Sequence, residues 1–386
     1  MTDLDAPGGR RGAVVELDRV SKRYGGKGDA PAVRELSMRV PAGEVCVLVG
    51  PSGCGKTTTL KMVNRLVEPS SGRILLDGDD IGRRNPVELR RRIGYVIQQT
   101  GLFPHLTVGA NIATVPRLLG WDAPRTRQRV DELIDLVGLD PAGYRDRYPA
   151  QLSGGERQRI GVARAIATGP PLLLMDEPFG AVDPITRERL QNEFLRLQQQ
   201  LGTTILFVTH DIDEAINMGD QIAVFYPDGR IAQFDTPMAV LEGPTDDYVA
   251  RFVGADRGLK RLSLSRVRDV PLDDPVTVRV GDDAEVALRA LQDARSPYVL
   301  LLDAEGRPVG WLSRKELQRP GPLGPERAGT PEPLLDREST LRDALSAMLG
   351  SAVQEGLVVD RHGRLLGSLS IGAVSSVLRQ EEPVGS

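Results

Sequence analysis

The run Gly50-Pro-Ser-Gly-Cys-Gly-Lys-Thr57 restricts what this chain can fold into more than any other feature. It follows the apolar stretch 45–49 and precedes a helical pattern over residues 58–66. Glycines let a backbone turn so tightly that several N–H groups face one point, and a helix start adds partial positive charge there. A loop of this kind is launched from a buried strand. Residues 45–49, 172–175 and 204–208 are short apolar runs bounded by turn or polar residues, as strands covered on both faces are. Helical patterns separate them, so the expected core is α/β.

The 386 residues suggest two or three domains. Residues 13–252 carry the dense alternation of strand and helix patterns, with a helical subdomain expected at about 101–167. A hairpin is expected over 222–234, turning at Pro227-Asp228-Gly229. Residues 1–12 read as a polar tail and 253–262 as a linker. Beyond lies an internal repeat: residues 298–313 echo 355–370, each a strand, an acid-Gly turn and a second strand. An amphipathic helix pattern precedes each copy, at 284–294 and 340–349. The copies occupy 263–320 and 326–380, divided by a Pro/Gly-rich joint and followed by a tail at 381–386.

Composition removes several function classes. A net charge of −4 gives no basic footprint for nucleic acid. No apolar run approaches the ~20 residues that span a bilayer. The first dozen residues hold no apolar signal core, so the protein is expected to be made and kept in the cytosol. Cys46 lies in an apolar strand and Cys54 in the glycine-rich loop; both read as space-fillers of a reducing compartment rather than a disulfide or metal site.

Within the loop, Lys56 can reach the β- and γ-phosphates of a nucleotide, and the Thr57 hydroxyl can ligate Mg²⁺. Leu172-Leu-Leu-Met-Asp-Glu177 carries Asp176 to the end of a strand, with Glu177 next to it. Between the two motifs stands Leu152-Ser-Gly-Gly-Glu-Arg-Gln-Arg159, a helix-opening sequence whose hydroxyl and N–H groups suit an anion. Taken in this order, the three motifs resemble the ATP-binding cassette (ABC) ATPases.

That resemblance implies a fold and a set of roles. The fold is a P-loop ABC-type ATPase core with a helical subdomain, followed by an α+β pair resembling tandem cystathionine-β-synthase (CBS) domains. ATP and Mg²⁺ are the implied cofactors. Gly50, Pro51, Ser52, Gly53, Cys54, Gly55, Lys56, Thr57 and Thr58 would hold the phosphates, and Tyr24 would stack on adenine. Asp176, Thr57 and Gln98 would hold the metal, with Gln99 as the adjacent alternative to Gln98. Glu177 would be the general base and His210 the switch contact to the γ-phosphate. Ser153, Gly154 and Gly155 would meet the γ-phosphate held by a second copy of the chain, across an interface that Asp183 crosses.

The same resemblance implies integral-membrane permease subunits as partners and, indirectly, an extracytoplasmic solute-binding protein. It places the chain at the cytoplasmic face of the membrane. Residues 93–105 and the CBS pair resemble osmoprotectant importers for glycine betaine, carnitine, choline or proline betaine. Importers of amino acids or another small solute, and a soluble ABC-type ATPase, remain the alternatives. The pair departs from nucleotide-binding CBS repeats: Gly310-Trp-Leu-Ser-Arg-Lys-Glu316 has Glu in place of Asp, and Gly367-Ser-Leu-Ser-Ile-Gly-Ala373 has no acid. A regulator sensing ionic strength or a nucleotide, and a structural module, are both open.

Overall fold

The computed structural model describes residues 12–25, 30–97, 101–180, 183–294 and 296–379. The chain divides into two compact units, Met1–Val253 and Gly254–Ser386.

The strands of the first unit are β1 (Val15–Lys22), β2 (Val33–Val40), β3 (Val45–Val49), β4 (Ser71–Leu76), β5 (Asp79–Asp80), β6 (Ile93–Val96), β7 (Leu172–Asp176), β8 (Thr204–Thr209), β9 (Gln221–Phe225) and β10 (Ile231–Asp235). One sheet has the order β10-β9-β3-β8-β7-β6, parallel except for the β9–β10 hairpin. Every residue of β3, β7 and β8 is buried, as the apolar runs require of strands covered on both faces. Each buried Val, Leu or Ile there contributes about 1.5–3 kcal/mol.

A second sheet, β2-β1-β4-β5, is antiparallel. It was not read from the sequence, although Leu36, Met38 and Val40 of β2 are buried between exposed neighbours, the period-2 mark of a half-buried strand.

Helix Lys56–Val63 begins directly at the end of the glycine-rich loop. It stops short of the expected residue 66 because Arg65 adopts a left-handed φ of 48°. Between β6 and β7 lie the helices Val108–Ile112, Thr114–Leu118, Ala123–Leu136, Pro141–Tyr144 and Gly154–Ala165. Thr107, Asp122, Asp140 and Ser153 cap four of them with side-chain oxygens.

In the second unit, residues 257–264 form a helix, Arg257–Leu264, rather than the linker expected over 253–262. The reason is Leu262, which is fully buried in this unit's own core with Leu341 and Val374. The repeat folds into two three-stranded sheets: β11 (Thr277–Arg279), β12 (Tyr298–Leu302) and β13 (Pro308–Ser313), then β14 (Leu334–Leu335), β15 (Glu355–Val359) and β16 (Leu365–Ser370). The parallel first strand of each sheet was not read from the sequence; at three and two residues both are too short to show a pattern. The helices Ala284–Ala294 and Leu341–Leu349 precede the two hairpins. Leu300 and Trp311 of the first copy bury against Leu357 of the second. The hairpin turns also meet, the Leu365 N–H donating to Gly306 O at 3.0 Å and Arg307 Nε to His362 O at 3.1 Å. Among the described residues no helix is long and apolar enough to cross a membrane.

Candidate active site

Sheet register brings the candidate residues to one edge. Val49, at the end of β3, pairs with Thr209 at the end of β8, and Asp176 at the end of β7 pairs with Val208. The turns beyond these level strand ends carry Gly50, Glu177 and His210. In open α/β sheets the carboxyl edge is where ligands bind.

Gly55 is the N-cap of helix Lys56–Val63 and supplies no side-chain acceptor. Its φ is 99°, and a Cβ there would lie 2.3 Å from the Ala32 carbonyl oxygen, so only glycine closes the loop against this neighbour. Lys56 is 6 % exposed, and its Nζ donates to Gly50 O at 2.6 Å and Pro51 O at 2.9 Å. A buried ammonium requires acceptors, and here the loop's own carbonyls provide them. Ser52 and Gly53 form the exposed tip, and Thr58 is half-buried. Burial pushes the Cys54 thiol up, against the charge of Lys56 nearby, so the thiol stays protonated and unreactive.

Thr57 Oγ1 donates to Asp176 Oδ1 at 2.8 Å. Burial raises the pKa of Asp176; the Thr57 hydrogen bond opposes that shift and the Glu177 charge adds to it. Burial also pushes the Tyr95 phenol up to about 12, with the Asp176 charge adding. A carboxylate and a hydroxyl at hydrogen-bond distance, in a partly dried corner, are hard oxygen donors. They fit Mg²⁺, which keeps few protein ligands and takes the rest from water and phosphate.

Glu177 holds a left-handed φ of 46°. For a non-glycine residue this costs about 1–2 kcal/mol. Its N–H donates to Val208 O at 2.9 Å, fixing the turn, and its Oε1 lies 3.3 Å from Nδ1 of His210. The glutamate is partly shielded and the histidine exposed. A small cavity of about 40 Å³ opens beside them, lined in part by Arg187, Thr209, Asp211 and Glu214.

Glu214 was not foreseen: it reads as a solvated position on helix Ile212–Met218, yet it is buried and accepts from Gln191 Nε2 at 2.7 Å. Burial raises its pKa. Only the tertiary packing of helix Pro184–Leu201 gives the signal, so no local pattern could have found it.

The other candidates lie on other segments of the chain. Ser153 caps helix Gly154–Ala165, its Oγ accepting from the Glu156 N–H at 3.3 Å while its own N–H donates to Glu156 Oε2 at 2.7 Å. Tyr144 Oη donates to Glu156 Oε1 at 2.6 Å, and this, with the Ser153 N–H, holds the Glu156 pKa down. Ser153 and Gly154 are exposed, Gly155 is half-buried, and a Cβ on Gly154 would meet nothing within 4 Å. Asp183 is exposed just before helix Pro184–Leu201, its carbonyl accepting from the Arg187 N–H at 2.9 Å. Tyr24 lies beyond the end of β1, 60 % exposed, with Lys22 Nζ 5.2 Å from its ring centre. Lys22 O accepts from the Ala32 N–H at 2.8 Å, which brings this end of β1 to the residue packed on Gly55. Gln98 and Gln99 lie outside the described residues.

Comparison with known proteins shows the family. Residues 33–180 match the ABC transporter family and residues 267–319 the CBS domain. The chain is 45 % identical to the osmoprotectant import ATP-binding protein OsmV of Salmonella typhimurium over 95 % of its own length and 96 % of that protein. It is 42 % identical to the glycine betaine/carnitine/choline transport ATP-binding protein OpuCA of Bacillus subtilis, over 95 % and 96 % of the two chains. Among solved structures it is similar to a dimeric ATP-binding cassette in a post-hydrolysis state bound to ADP and Pi. That match has 31 % identity and a TM-score of 0.53, and covers 58 % of this chain and 98 % of the other.

Proposed function

The chain belongs to the ATP-binding subunits of ABC osmoprotectant import systems, and on that premise we propose that two copies of it close over two ATP molecules to power uptake of a quaternary-amine solute of the glycine betaine, carnitine or choline class. The observation that carries the cargo reading is likeness along the whole chain. The relatives above, 45 % and 42 % identical, match through both units and not only through the ATP-binding one. A dimeric solved cassette bound to ADP and Pi supports the two-copy arrangement.

Gly50, Pro51, Ser52, Gly53, Cys54, Gly55 and Thr58 wrap the phosphates with backbone and side-chain groups. Lys56 gives up its bonds to the Gly50 and Pro51 carbonyls for the β- and γ-phosphates. Thr57 and Asp176, already paired, would hold Mg²⁺ together with Gln98. The ion, when bound, neutralises charge on the phosphate oxygens. Glu177 accepts the proton of the attacking water, and His210, whose Nδ1 lies 3.3 Å from Glu177 Oε1, senses the γ-phosphate from the neighbouring strand end. Tyr24 stacks on adenine. Ser153, Gly154 and Gly155 face the γ-phosphate held by the partner copy, with Asp183 at the same interface. Closing and reopening of this dimer moves permease subunits, against which the chain sits as a peripheral protein at the cytoplasmic face. A solute-binding protein on the other side delivers the cargo. The C-terminal repeats, residues 263–320 and 326–380, regulate this cycle or stabilise the assembly.

The test is uptake of labelled glycine betaine in cells shifted to high salt, with choline and carnitine as competitors, comparing wild type with Glu177→Gln. Loss of uptake in the variant is expected. Uptake that survives the substitution would move the cargo to another class, amino acids first.

A further inference from the structure

The phosphate loop rests on a wall that its own motif does not contain. Gly50 follows β3, and Val49 of that strand pairs with Val224 of β9, one residue before Phe225. A Cβ on Gly50 would lie 3.0 Å from both Cβ and O of Phe225 and 3.1 Å from Cys54 Sγ. The loop therefore sits against the Phe225 backbone with no spare space. Tyr248, on helix Asp247–Val253, donates from Oη to that same Phe225 carbonyl at 2.9 Å. Its ring lies 5.0 Å from that of Tyr226 and 6.1 Å from that of Phe252. Burial raises the Tyr248 phenol pKa, and Cys54 adds to the shift, so the hydroxyl remains a donor at neutral pH.

We propose that Tyr248 is a positioning residue for ATP binding: by holding the Phe225 carbonyl it fixes the surface on which Gly50 and Cys54 pack. Gly50 O is one of the acceptors that hold the Lys56 ammonium before nucleotide arrives, so a shift of that wall displaces the charge that must meet the phosphates. Tyr248 touches neither the nucleotide nor Glu177 in this account. Its contribution is to affinity and not to the chemical step. The inference rests on the reading of residues 50–58 as the ATP site.

The test is steady-state ATP hydrolysis by the full-length chain. Tyr248→Phe keeps the ring and removes one neutral hydrogen bond, so KM for ATP is expected to rise about 3–10-fold, with kcat within about twofold of wild type. Tyr226→Phe is the matched control. Its hydroxyl bonds the Asp246 carboxylate instead of the wall, and its KM should stay at the wild-type value. A Tyr248→Phe enzyme with unchanged KM overturns the proposal, as does an equal rise in both variants or a fall confined to kcat. A wild-type chain that fails to hydrolyse ATP would instead overturn the ATP-site reading beneath it.

Discussion

Helix Lys56–Val63 starts from Gly55, whose left-handed backbone and tight approach to Ala32 leave no room for a capping side chain. Helix Gly154–Ala165 starts from Ser153, which closes a reciprocal capping box with Glu156 on an open surface. Both begin with glycine-rich sequence, and both present N–H groups at the positive end of a helix. The first leaves its donors to a loop folded around one point and stores a lysine ammonium there. The second is already satisfied within its own helix and is stable without a ligand. One chain thus carries a loop folded around a buried lysine and an outward-facing, self-capped helix start. On the reading proposed above, the second completes the first only across two copies.

The comparison can be broken in several ways. The largest expected effect is that of Glu177→Gln, which keeps the shape of both helix starts and removes the proposed base; kcat for ATP hydrolysis should fall ~10²–10⁴-fold with ATP binding retained. Near-normal turnover would remove Glu177 from the mechanism. Lys56→Ala strips the loop of charge-assisted hydrogen bonds worth about 1.5–3 kcal/mol, so ATP affinity should fall roughly 10–150-fold in titrations with a fluorescent analogue.

Ser153→Ala sharpens the contrast. It should slow hydrolysis roughly 10-fold or more, cost about 1 kcal/mol of stability through the lost cap, and leave ATP affinity of the single chain unchanged. A loss of single-chain affinity as deep as that of Lys56→Ala would mean that the two helix starts serve one site within one chain.

The smallest effect concerns stability. Burial raises the Asp176 pKa, so the fold disfavours its ionised form. At pH values below the ordinary carboxylate range the group is protonated both folded and unfolded, and Asp176→Asn changes little. As pH rises through the raised pKa, the wild type loses stability that the variant keeps. Asp176→Asn should therefore melt above wild type at neutral pH, by a margin that narrows on acidification, while losing hydrolysis. A variant that melts below wild type at neutral pH would show that the Thr57 bond outweighs the burial of the charge.

The legible parts of this molecule were those where chemistry or symmetry repeats along the chain. The runs that became β3, β7 and β8 could be read because parallel strands are apolar on both faces. The helix pattern at 284–294 matches helix Ala284–Ala294, since a single buried face carried by Ala284, Ala287 and Leu291 sets it. The antiparallel sheet and the short strands β11 and β14 escaped, because half-buried or two-to-three-residue strands are fixed by their neighbours rather than by local pattern. The same holds at the site. Thr57 and Asp176 could be named from their motifs, whereas Glu214 in the cavity beside His210 and Tyr248 behind the loop depend on contacts between distant segments.

The most direct test of the two-half-site account is the mass of Glu177→Gln in solution, by sedimentation with and without ATP and Mg²⁺. The account predicts a nucleotide-dependent shift to twice the starting mass, abolished when Ser153→Ala is added to the same chain. Saturating ATP binding with no change in mass, or a shift that survives Ser153→Ala undiminished, would contradict it.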